Sequence, residues 1–397
     1  MPASLLRAAV PAGGTAAVVH DHFSMPGGGE RTALALRRAL DADLWTGFVH
    51  GAPAAGLVGP ELERLRCVAP RLPLPVARTL MLSYRMTQVP LHRYRLAVLS
   101  GNSALCALLG SQPGRSVLYC HAPPRYLFDQ RALLRRRVPA PLRPLTDAAL
   151  AHFERRYRAA LARCDVVLAN SQTVRERIRT YLGRESQVVY PPVDTAAFRW
   201  LGDEDYFVST ARIAPLKRVE AVVRAFLQLP RRRLVVLSGG PDERRLRSLA
   251  AGARNILFTG WVPDAVREAL IGRCRATLYV PVDEDFGLSP VESMAAGKPV
   301  IGVRDGGLCE TIEDGRTGRL LARDFSVDEL ADAVESMSAR RAGAMRRACE
   351  SRAQAFSLDR FRQRLGDALG DGSWRPGEIA AAAGVDAGRT EPGGALP

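Results

Sequence analysis

Residues 282–300 read VDEDFGLSPVESMAAGKPV, and this stretch decides the fold of the C-terminal half of the chain. It follows an apolar run, Ala276–Val280, that is typical of a buried parallel strand. Within the stretch, Gly287 allows the backbone to approach a ligand closely, Ser289 is placed to cap a helix, and Pro290 suits a first helical turn. The pattern predicts a strand, a glycine-containing loop and a short helix.

Two glutamates, Glu284 and Glu292, lie eight positions apart in this segment. The free N–H groups and the dipole of a helix N-terminus favour an anion, most often a phosphate. Carboxylates beside such a site can accept hydrogen bonds from sugar hydroxyls. Taken alone, the segment is equally compatible with an ordinary strand–loop–helix unit whose acidic side chains face solvent.

The sequence EDFGLSPVE at 284–292 resembles the E-x7-E segment of family-4 retaining glycosyltransferases, and residues 297–321 are similar to the glycine-rich segment that follows it in that family. The resemblance implies that Glu284 binds hydroxyls of a donor sugar and that Glu292 holds the ribose of a nucleotide. It also implies that phosphate or sugar oxygens meet the backbone of three intervening residues: Phe286, Gly287 and Leu288.

The N-terminal sequence VVHDHFSMPGGGERTALAL, residues 18–36, places a run of glycines between a predicted strand and an amphipathic helix. It resembles the opening of a mannosyltransferase-type branch of the same family. The resemblance implies that the loop at Gly28 and Gly29 meets the donor diphosphate and the acceptor. Without the resemblance, three glycines predict only a flexible turn.

Two further residues follow predicted strands directly. His121 lies at the carboxyl end of a strand, where open α/β sheets bind their ligands, although an isolated histidine is more often a hydrogen-bonded structural residue. The segment YCHAPPRYLFD, residues 119–129, resembles the family segment whose histidine reaches the donor sugar. Val262, in the turn GWVP, resembles the residue that flanks the nucleotide base.

Arg212 and Lys217 lie five residues apart between a predicted strand and a predicted helix. Two cations at this place can neutralise a diphosphate leaving group, whereas cations near a helix N-terminus otherwise oppose its dipole. The segment ARIAPLKR resembles the family's G-R-x-x-x-x-K-G, with Ala211 and Arg218 in place of the two glycines. We therefore predict catalytic roles for Glu284, His121 and this Arg–Lys pair.

Strands alternate with helices twice along the chain, which predicts two doubly wound α/β domains. The resemblance implies the GT-B fold, in which two Rossmann-like domains face a cleft. We predict an acceptor-side domain over residues 1–195 and a nucleotide-sugar-binding domain over residues 196–355. A helix at 356–370 is expected to return to the first domain, and residues 371–397 are expected to be disordered because they are rich in Gly, Ala and Pro.

The chain of 397 residues is globular in composition and strongly basic, with 47% apolar residues, a net charge of +15 and a pI near 10.2. The charge is uneven, because residues 125–184 contain fourteen arginines and five acids. This predicts an anionic acceptor or an anionic membrane surface as a partner, or only a solvated basic face. Because aromatic residues are not interleaved with the arginines, we do not expect nucleic acid to be a partner.

Seven scattered cysteines without a C-x-x-C motif favour reduced thiols in a cytoplasmic protein. The arginine-rich first domain suggests a peripheral position at the inner membrane face. The resemblance implies a retaining hexosyltransferase, and because no D-x-D motif serves a sugar donor we expect it to be metal-independent and to need no cofactor. GDP-mannose is the first donor to test and a UDP-sugar is the alternative. A glycan or a lipid-linked acceptor in the synthesis of cell-surface polysaccharide or glycolipid is expected. A phosphorylase or epimerase of the same fold, or a basic nucleic-acid-binding protein, are the weaker alternatives.

Overall fold

A computed structural model describes residues 15–25 and 27–370 of the chain. The predicted disordered tail at residues 371–397 lies outside the described residues, as do residues 1–14 of the predicted first domain.

The first sheet is parallel and has seven strands in the order β3-β2-β1-β4-β5-β6-β7. Its strands are β1 Ala16–His20, β2 Asp43–Thr46, β3 Leu65–Cys67, β4 Leu96–Ser100, β5 Arg115–Cys120, β6 Val166–Ala169 and β7 Gln187–Val188. The second sheet is also parallel and has six strands in the order β10-β9-β8-β11-β12-β13. Its strands are β8 Tyr206–Ser209, β9 Arg233–Val236, β10 Ile256–Phe258, β11 Ala276–Tyr279, β12 Val300–Val303 and β13 Gly318–Leu321.

Helices connect these strands. In the first half of the chain they are α1 Gly28–Ala39, α2 Ala52–Val58, α3 Pro75–Arg85, α4 Arg131–Arg137, α5 Arg143–Leu161 and α6 Gln172–Leu182. In the second half they are α7 Val219–Leu227, α8 Glu243–Leu249, α9 Asp264–Arg273, α10 Leu288–Ala295, α11 Leu308–Thr311, α12 Val327–Ser336, α13 Ala339–Gln354 and α14 Leu358–Leu369.

Both faces of the first sheet are covered, which explains why its strands are apolar without alternation. In β1, Ala17 and Val19 belong to one hydrophobic core, which also contains residues of α5 and α6. Ala16 and Val18 belong to a second core on the opposite face, with residues of α1 and α14. The predicted fold class, two doubly wound Rossmann-like domains, is confirmed by the two parallel sheets.

The chain passes between the two sheets twice. The first passage follows β7, and the second connects α13 to α14. At the crossing point the Val193 amide donates to the Phe356 carbonyl over 2.9 Å. The apolar face of α14, formed by Phe361, Leu365 and Leu369, is buried in the core that contains β1. We propose the division of the chain at residues 195 and 196 as the domain boundary.

One local prediction was wrong. The composition of segment 51–59, which is rich in Gly, Pro and Ala, predicts a loop, but the segment forms the helix α2 followed by a 3-10 turn at Gly59–Arg64. A proline in the first turn of a helix removes no intrahelical hydrogen bond, and the alanines of the segment favour a helix.

None of the helices in the described part of the chain has the length and apolar character required to cross a membrane.

The packing of α14 generates a stability prediction. Replacing Phe361, which is 1% exposed, by alanine should lower the free energy of unfolding by about 3–5 kcal/mol, because it leaves a cavity between α14 and the first sheet. Chemical denaturation followed by circular dichroism measures this change. Arg362→Ala is the matched control on the exposed face of the same helix and should change stability by less than about 0.5 kcal/mol. Equal midpoints for the two variants would contradict the packing described here.

Candidate active site

A cavity of about 470 Å³ lies between the two domains. Its walls include the N-terminus of α1 from the first domain and the loops after β8 and β11 from the second. These loops follow the carboxyl ends of parallel strands, where α/β proteins bind ligands. The structure brings all of the predicted site residues to this cavity: Gly28, Gly29, His121, Arg212, Lys217, Val262, Glu284, Phe286, Gly287, Leu288 and Glu292.

The glycine loop before α1 brings the two domains close together. A Cβ atom on Gly28 would lie 2.5 Å from Cδ1 of Leu288 in the second domain. A Cβ atom on Gly29 would lie 3.9 Å from Nε2 of His121. The absence of side chains at these positions therefore keeps the N-terminus of α1 open to the cavity and lets α10 approach it.

The loop that precedes α10 differs in one detail from the sequence prediction. The N-cap position of α10 is held by Gly287, not by Ser289, which lies within the first turn. Gly287 has φ +86°, in the left-handed region that favours glycine, and a Cβ there would lie 2.8 Å from Leu308. The first N–H groups of α10 have no partner within the helix, so the cavity receives backbone donors and the positive end of a helix dipole.

Lys217 and Glu284 form a salt bridge on the floor of the cavity. The Lys217 Nζ atom lies 2.5 Å from Glu284 Oε2 and 3.1 Å from the hydroxyl of Tyr279. Burial favours the neutral amine, but the neighbouring Tyr279 and Glu284 outweigh it and raise the pKa of Lys217 above its usual value. The lysine is therefore a fixed positive charge, and it uses two of its three donors in these contacts.

Glu292 is paired with an arginine that the sequence analysis did not single out. Arg267, in the first half of α9, places Nη1 at 2.8 Å from Glu292 Oε2. The same arginine lies 3.4 Å from Asp264, which in turn binds Arg31 of the first domain over 2.9 Å. The only sequence signal for Arg267 was its position one helical turn after the predicted GWVP turn.

His121 lies at the end of β5 and forms a hydrogen bond with Ser100. The distance between His121 Nε2 and Ser100 Oγ is 2.8 Å. Burial lowers the pKa of His121 to about 4, so the imidazole is neutral near pH 7. It can therefore contribute a hydrogen bond to a ligand but no positive charge.

The acidic loop, Asp283–Asp285, is held by arginines of the first domain. Arg177 forms a salt bridge with the Asp285 carboxylate, and Arg125 Nη1 donates to the Asp283 carbonyl over 2.9 Å. Burial raises the pKa of Asp285 to about 6, although Arg177 favours the charged form. The arginine-rich segment 125–184 was interpreted from the sequence as a basic surface, but these two members of it point into the domain interface.

Glu310 in α11 forms another contact between the domains. Its carboxylate accepts hydrogen bonds from the backbone N–H groups of Gln172 and Thr173, over 2.7 and 2.8 Å. These N–H groups have no partner within the first turn of α6, and the N-cap of this helix is Ser171. The Ser171 hydroxyl also donates to the Asp285 carbonyl over 2.6 Å, so α6 is joined to the acidic loop.

Several polar atoms on the cavity wall are buried without a hydrogen-bond partner in the described part of the chain. They include Asn170 Oδ1 and Thr210 Oγ1. A buried polar group without a partner is costly unless a ligand or an ordered water satisfies it.

Next to Val262, the indole of Trp261 is 55% exposed and also lines the cavity. The cavity thus offers cations and free donors near α10, and apolar surface near Val262.

No group of three or more His, Cys, Asp or Glu side chains suited to hold a metal ion occurs within residues 15–25 and 27–370. The positively charged side chains on the cavity wall are Arg31, Arg212, Lys217 and Arg267, and five acidic side chains line the same wall. This arrangement can bind an anion such as a diphosphate, while the glutamates accept hydrogen bonds from hydroxyl groups.

Comparisons with known proteins agree with this geometry. Residues 26–197 match the model of Glycosyltransferase Family 4, and residues 194–356 match that of Glycosyl transferases group 1. A D-inositol 3-phosphate glycosyltransferase of Mycobacterium avium is 37% identical over 196 residues, which cover 43% of this chain and 46% of that protein. A GDP-mannose-dependent alpha-(1-6)-phosphatidylinositol monomannoside mannosyltransferase of Mycobacterium tuberculosis is 32% identical over 202 residues, 44% of this chain and 52% of that protein.

The aligned regions thus span about half the length of these relatives. Among solved structures, Anabaena Alr3699/HepE in complex with UDP and glucose superposes with a TM-score of 0.71 at 16% identity, covering 89% of this chain and 99% of that one. At this identity the likeness concerns the fold. The two family models together span residues 26–356. The chain therefore belongs to the glycosyltransferases, with a family 4 domain followed by a group 1 domain.

Proposed function

We propose that this protein is a retaining glycosyltransferase that transfers a hexose from a nucleotide-diphosphate sugar to a glycan or a lipid-linked acceptor. The observation that carries the proposal is that Arg212, Lys217, Glu284 and Glu292 line one cavity beside the N-terminus of α10. Family 4 and group 1 glycosyltransferase domains in the same chain support it.

The donor diphosphate is placed between Arg212, Lys217 and the free N–H groups at the start of α10. Lys217 keeps one donor for a phosphate oxygen after its contacts with Tyr279 and Glu284. These groups stabilise the negative charge that develops on the departing diphosphate, without a metal ion. Because Lys217 is held by Tyr279 and Glu284 before the reaction, it needs little reorganisation in the transition state.

The glutamates are assigned to the two sugars of the donor. Lys217 holds one carboxylate oxygen of Glu284, and we assign this carboxylate to accept from a hydroxyl of the transferred hexose. Glu292 is held by Arg267 in the same way and accepts from the ribose diol. The neutral His121 contributes a hydrogen bond to the transferred sugar, and Val262 flanks the base.

GDP-mannose is the first donor that we propose, and a UDP-sugar is the alternative. The names of two groups of relatives support mannose: the mycobacterial GDP-mannose-dependent enzyme and the alpha-1,3/1,6-mannosyltransferase ALG2 of Saccharomyces cerevisiae, which is 25% identical over 280 residues. The proposed product belongs to cell-surface polysaccharide or glycolipid synthesis.

We also propose a cytoplasmic location with peripheral contact to an anionic membrane. The helices α4 and α5 support this because the segment that contains them exposes large apolar side chains among arginines. The exposed leucines are Leu133, Leu142 and Leu145, the last of them 70% exposed. Arg135 and Arg136 are exposed on α4. Apolar side chains that enter the interface and arginines that attract anionic lipid together favour peripheral binding.

Replacing Lys217 by alanine or Glu284 by glutamine should lower the rate of transfer on the order of 100-fold, because each removes a group that stabilises the transition state. Release of radiolabelled mannose from GDP-mannose, to acceptor or to water, measures the effect. Glu335→Gln removes a surface glutamate paired with Arg232 and serves as the control. Near-complete activity in both site variants would refute the assigned roles.

Saturating GDP-mannose should raise the melting temperature, since a ligand at 100 times its Kd stabilises the native state by about 2.7 kcal/mol. Thermal-shift measurements with GDP-mannose, UDP-glucose and UDP-galactose rank the donors. We expect the GDP-sugar to give the largest shift and EDTA to leave it unchanged. A shift that disappears in EDTA would show that a metal ion is required.

Leu145→Ser should weaken binding to vesicles that contain anionic lipid, measured by sedimentation, by at least about tenfold, because it removes a side chain whose burial is worth about 1.5–3 kcal/mol. Leu257→Ser is the matched control, since Leu257 is 59% exposed in the second domain. Binding that does not depend on anionic lipid, or an equal loss in both variants, would rule out the proposed membrane contact.

A further inference from the structure

A second cavity of about 250 Å³ adjoins the first within the N-terminal domain. It lies at the carboxyl ends of β1 and β5, whose last residues, His20 and Cys120, contribute to its lining. The two cavities share Gly29, Glu30 and His121 as lining residues. A ligand in the second cavity therefore reaches the site of the donor sugar at this junction.

The second cavity is smaller than the ~300–1,000 Å³ typical of pockets for drug-sized ligands, so its size suits a single ring. Its polar groups are fixed by the backbone. The Asp21 carboxylate accepts from the amides of Asn102 and Ala104, over 3.0 and 2.6 Å. His20 Nδ1 lies 2.6 Å from the Ser100 carbonyl oxygen, which it can reach only as a donor.

The charged groups of the second cavity differ from those of the first, which is lined by four basic and five acidic side chains. Among the described residues, Asp21 and Glu30 line the second cavity, and neither lysine nor arginine does so. Burial lowers the pKa of His20 to about 3 and that of His121 to about 4, so both rings are neutral near pH 7. Burial raises the pKa of Asp21 to about 6, which leaves it mostly ionised at that pH.

This charge distribution selects between classes of acceptor. A phosphate on the ring that enters the second cavity would meet two carboxylates, and no lysine or arginine among the described residues lines that cavity, so such like-charge contacts are unfavourable. The hydroxyl groups of an uncharged sugar can donate to carboxylate oxygens and to the unprotonated ring nitrogens of neutral histidines. The cationic groups lie instead in the first cavity, where the donor diphosphate is proposed to bind.

We propose that the second cavity is the acceptor subsite and that it takes an uncharged, polyhydroxylated sugar ring, with Glu30 accepting a hydrogen bond from the hydroxyl that reacts. This inference rests on the proposed function, because it requires the adjoining cavity to hold a nucleotide sugar. Any phosphate of a lipid-linked acceptor then lies outside this cavity, at a distance from the reacting ring.

The first experiment compares acceptors that differ in charge. Saturation-transfer NMR on the full chain with GDP bound would measure methyl α-mannoside and myo-inositol against mannose 6-phosphate and myo-inositol 1-phosphate. We expect the uncharged compounds to bind at least about tenfold more tightly, because the phosphates face two carboxylates. Equal or tighter binding of the phosphorylated compounds, or no binding of an uncharged one at tens of millimolar, would overturn the proposal.

The second experiment tests the location. Asn102 lines the second cavity and not the first. Asn102→Trp should therefore abolish acceptor binding while the thermal shift with GDP-mannose persists, which also shows that the variant is folded. Glu30→Gln should reduce the preference for uncharged over phosphorylated compounds, and Glu185→Gln, on the exposed surface of the same domain, should not.

The outcomes separate the two proposals. If the unmodified protein shows no thermal shift with any nucleotide sugar, the proposed function fails. If the shift is present but Asn102→Trp binds the uncharged acceptors as well as the unmodified protein does, only the acceptor subsite is wrong.

Discussion

The placement of the two domains around the cavity depends on the ionic contacts of the acidic loop, Asp283–Asp285. Lys217 binds Glu284 from within the second domain, while Arg125 and Arg177 reach Asp283 and Asp285 from the first. The loop that carries a key carboxylate of the cavity is thus held by both domains. Since the contacts are partly buried, loss of one partner leaves a charge uncompensated, and the geometry of the cavity is coupled to the placement of the domains. The contact of Glu310 with the first turn of α6 reinforces this coupling.

The two adjoining cavities are lined by different charged and polar groups. The larger one combines four cations and the N-terminus of α10 with five carboxylates, whereas the smaller one combines carboxylates with neutral histidines and is lined by no lysine or arginine in the described part of the chain. In our proposal, this difference on either side of the Gly29–Glu30 junction gives a donor and an acceptor separate places. A strongly basic chain can in this way maintain a locally acidic subsite, because burial and backbone hydrogen bonds, and not the net charge, determine the potential inside a cavity.

Much of this arrangement is predictable from the sequence, since apolar runs of four to six residues ending in glycine or polar residues indicate buried parallel strands. The pattern around Glu284 and Glu292 also predicted the loop and the short helix α10 that carry them. Three features were not predictable. The cap of α10 is Gly287 because a left-handed backbone is needed there, and α2 forms where turn residues suggested a loop. The partners Arg267 and Arg177 come from distant segments, and no local pattern distinguishes an inward-facing arginine from a solvated one.

The return of α14 to the first sheet has a consequence for the order of folding. The first domain is synthesised first, yet Phe361, Leu365 and Leu369 complete its core only after more than 150 intervening residues have emerged. Until then the part of this core that α14 covers, which includes Tyr119 of β5, stays exposed, and this leaves apolar surface open to aggregation. The second domain must therefore be largely synthesised before the first is finished, so maturation of the two halves is linked by the chain itself.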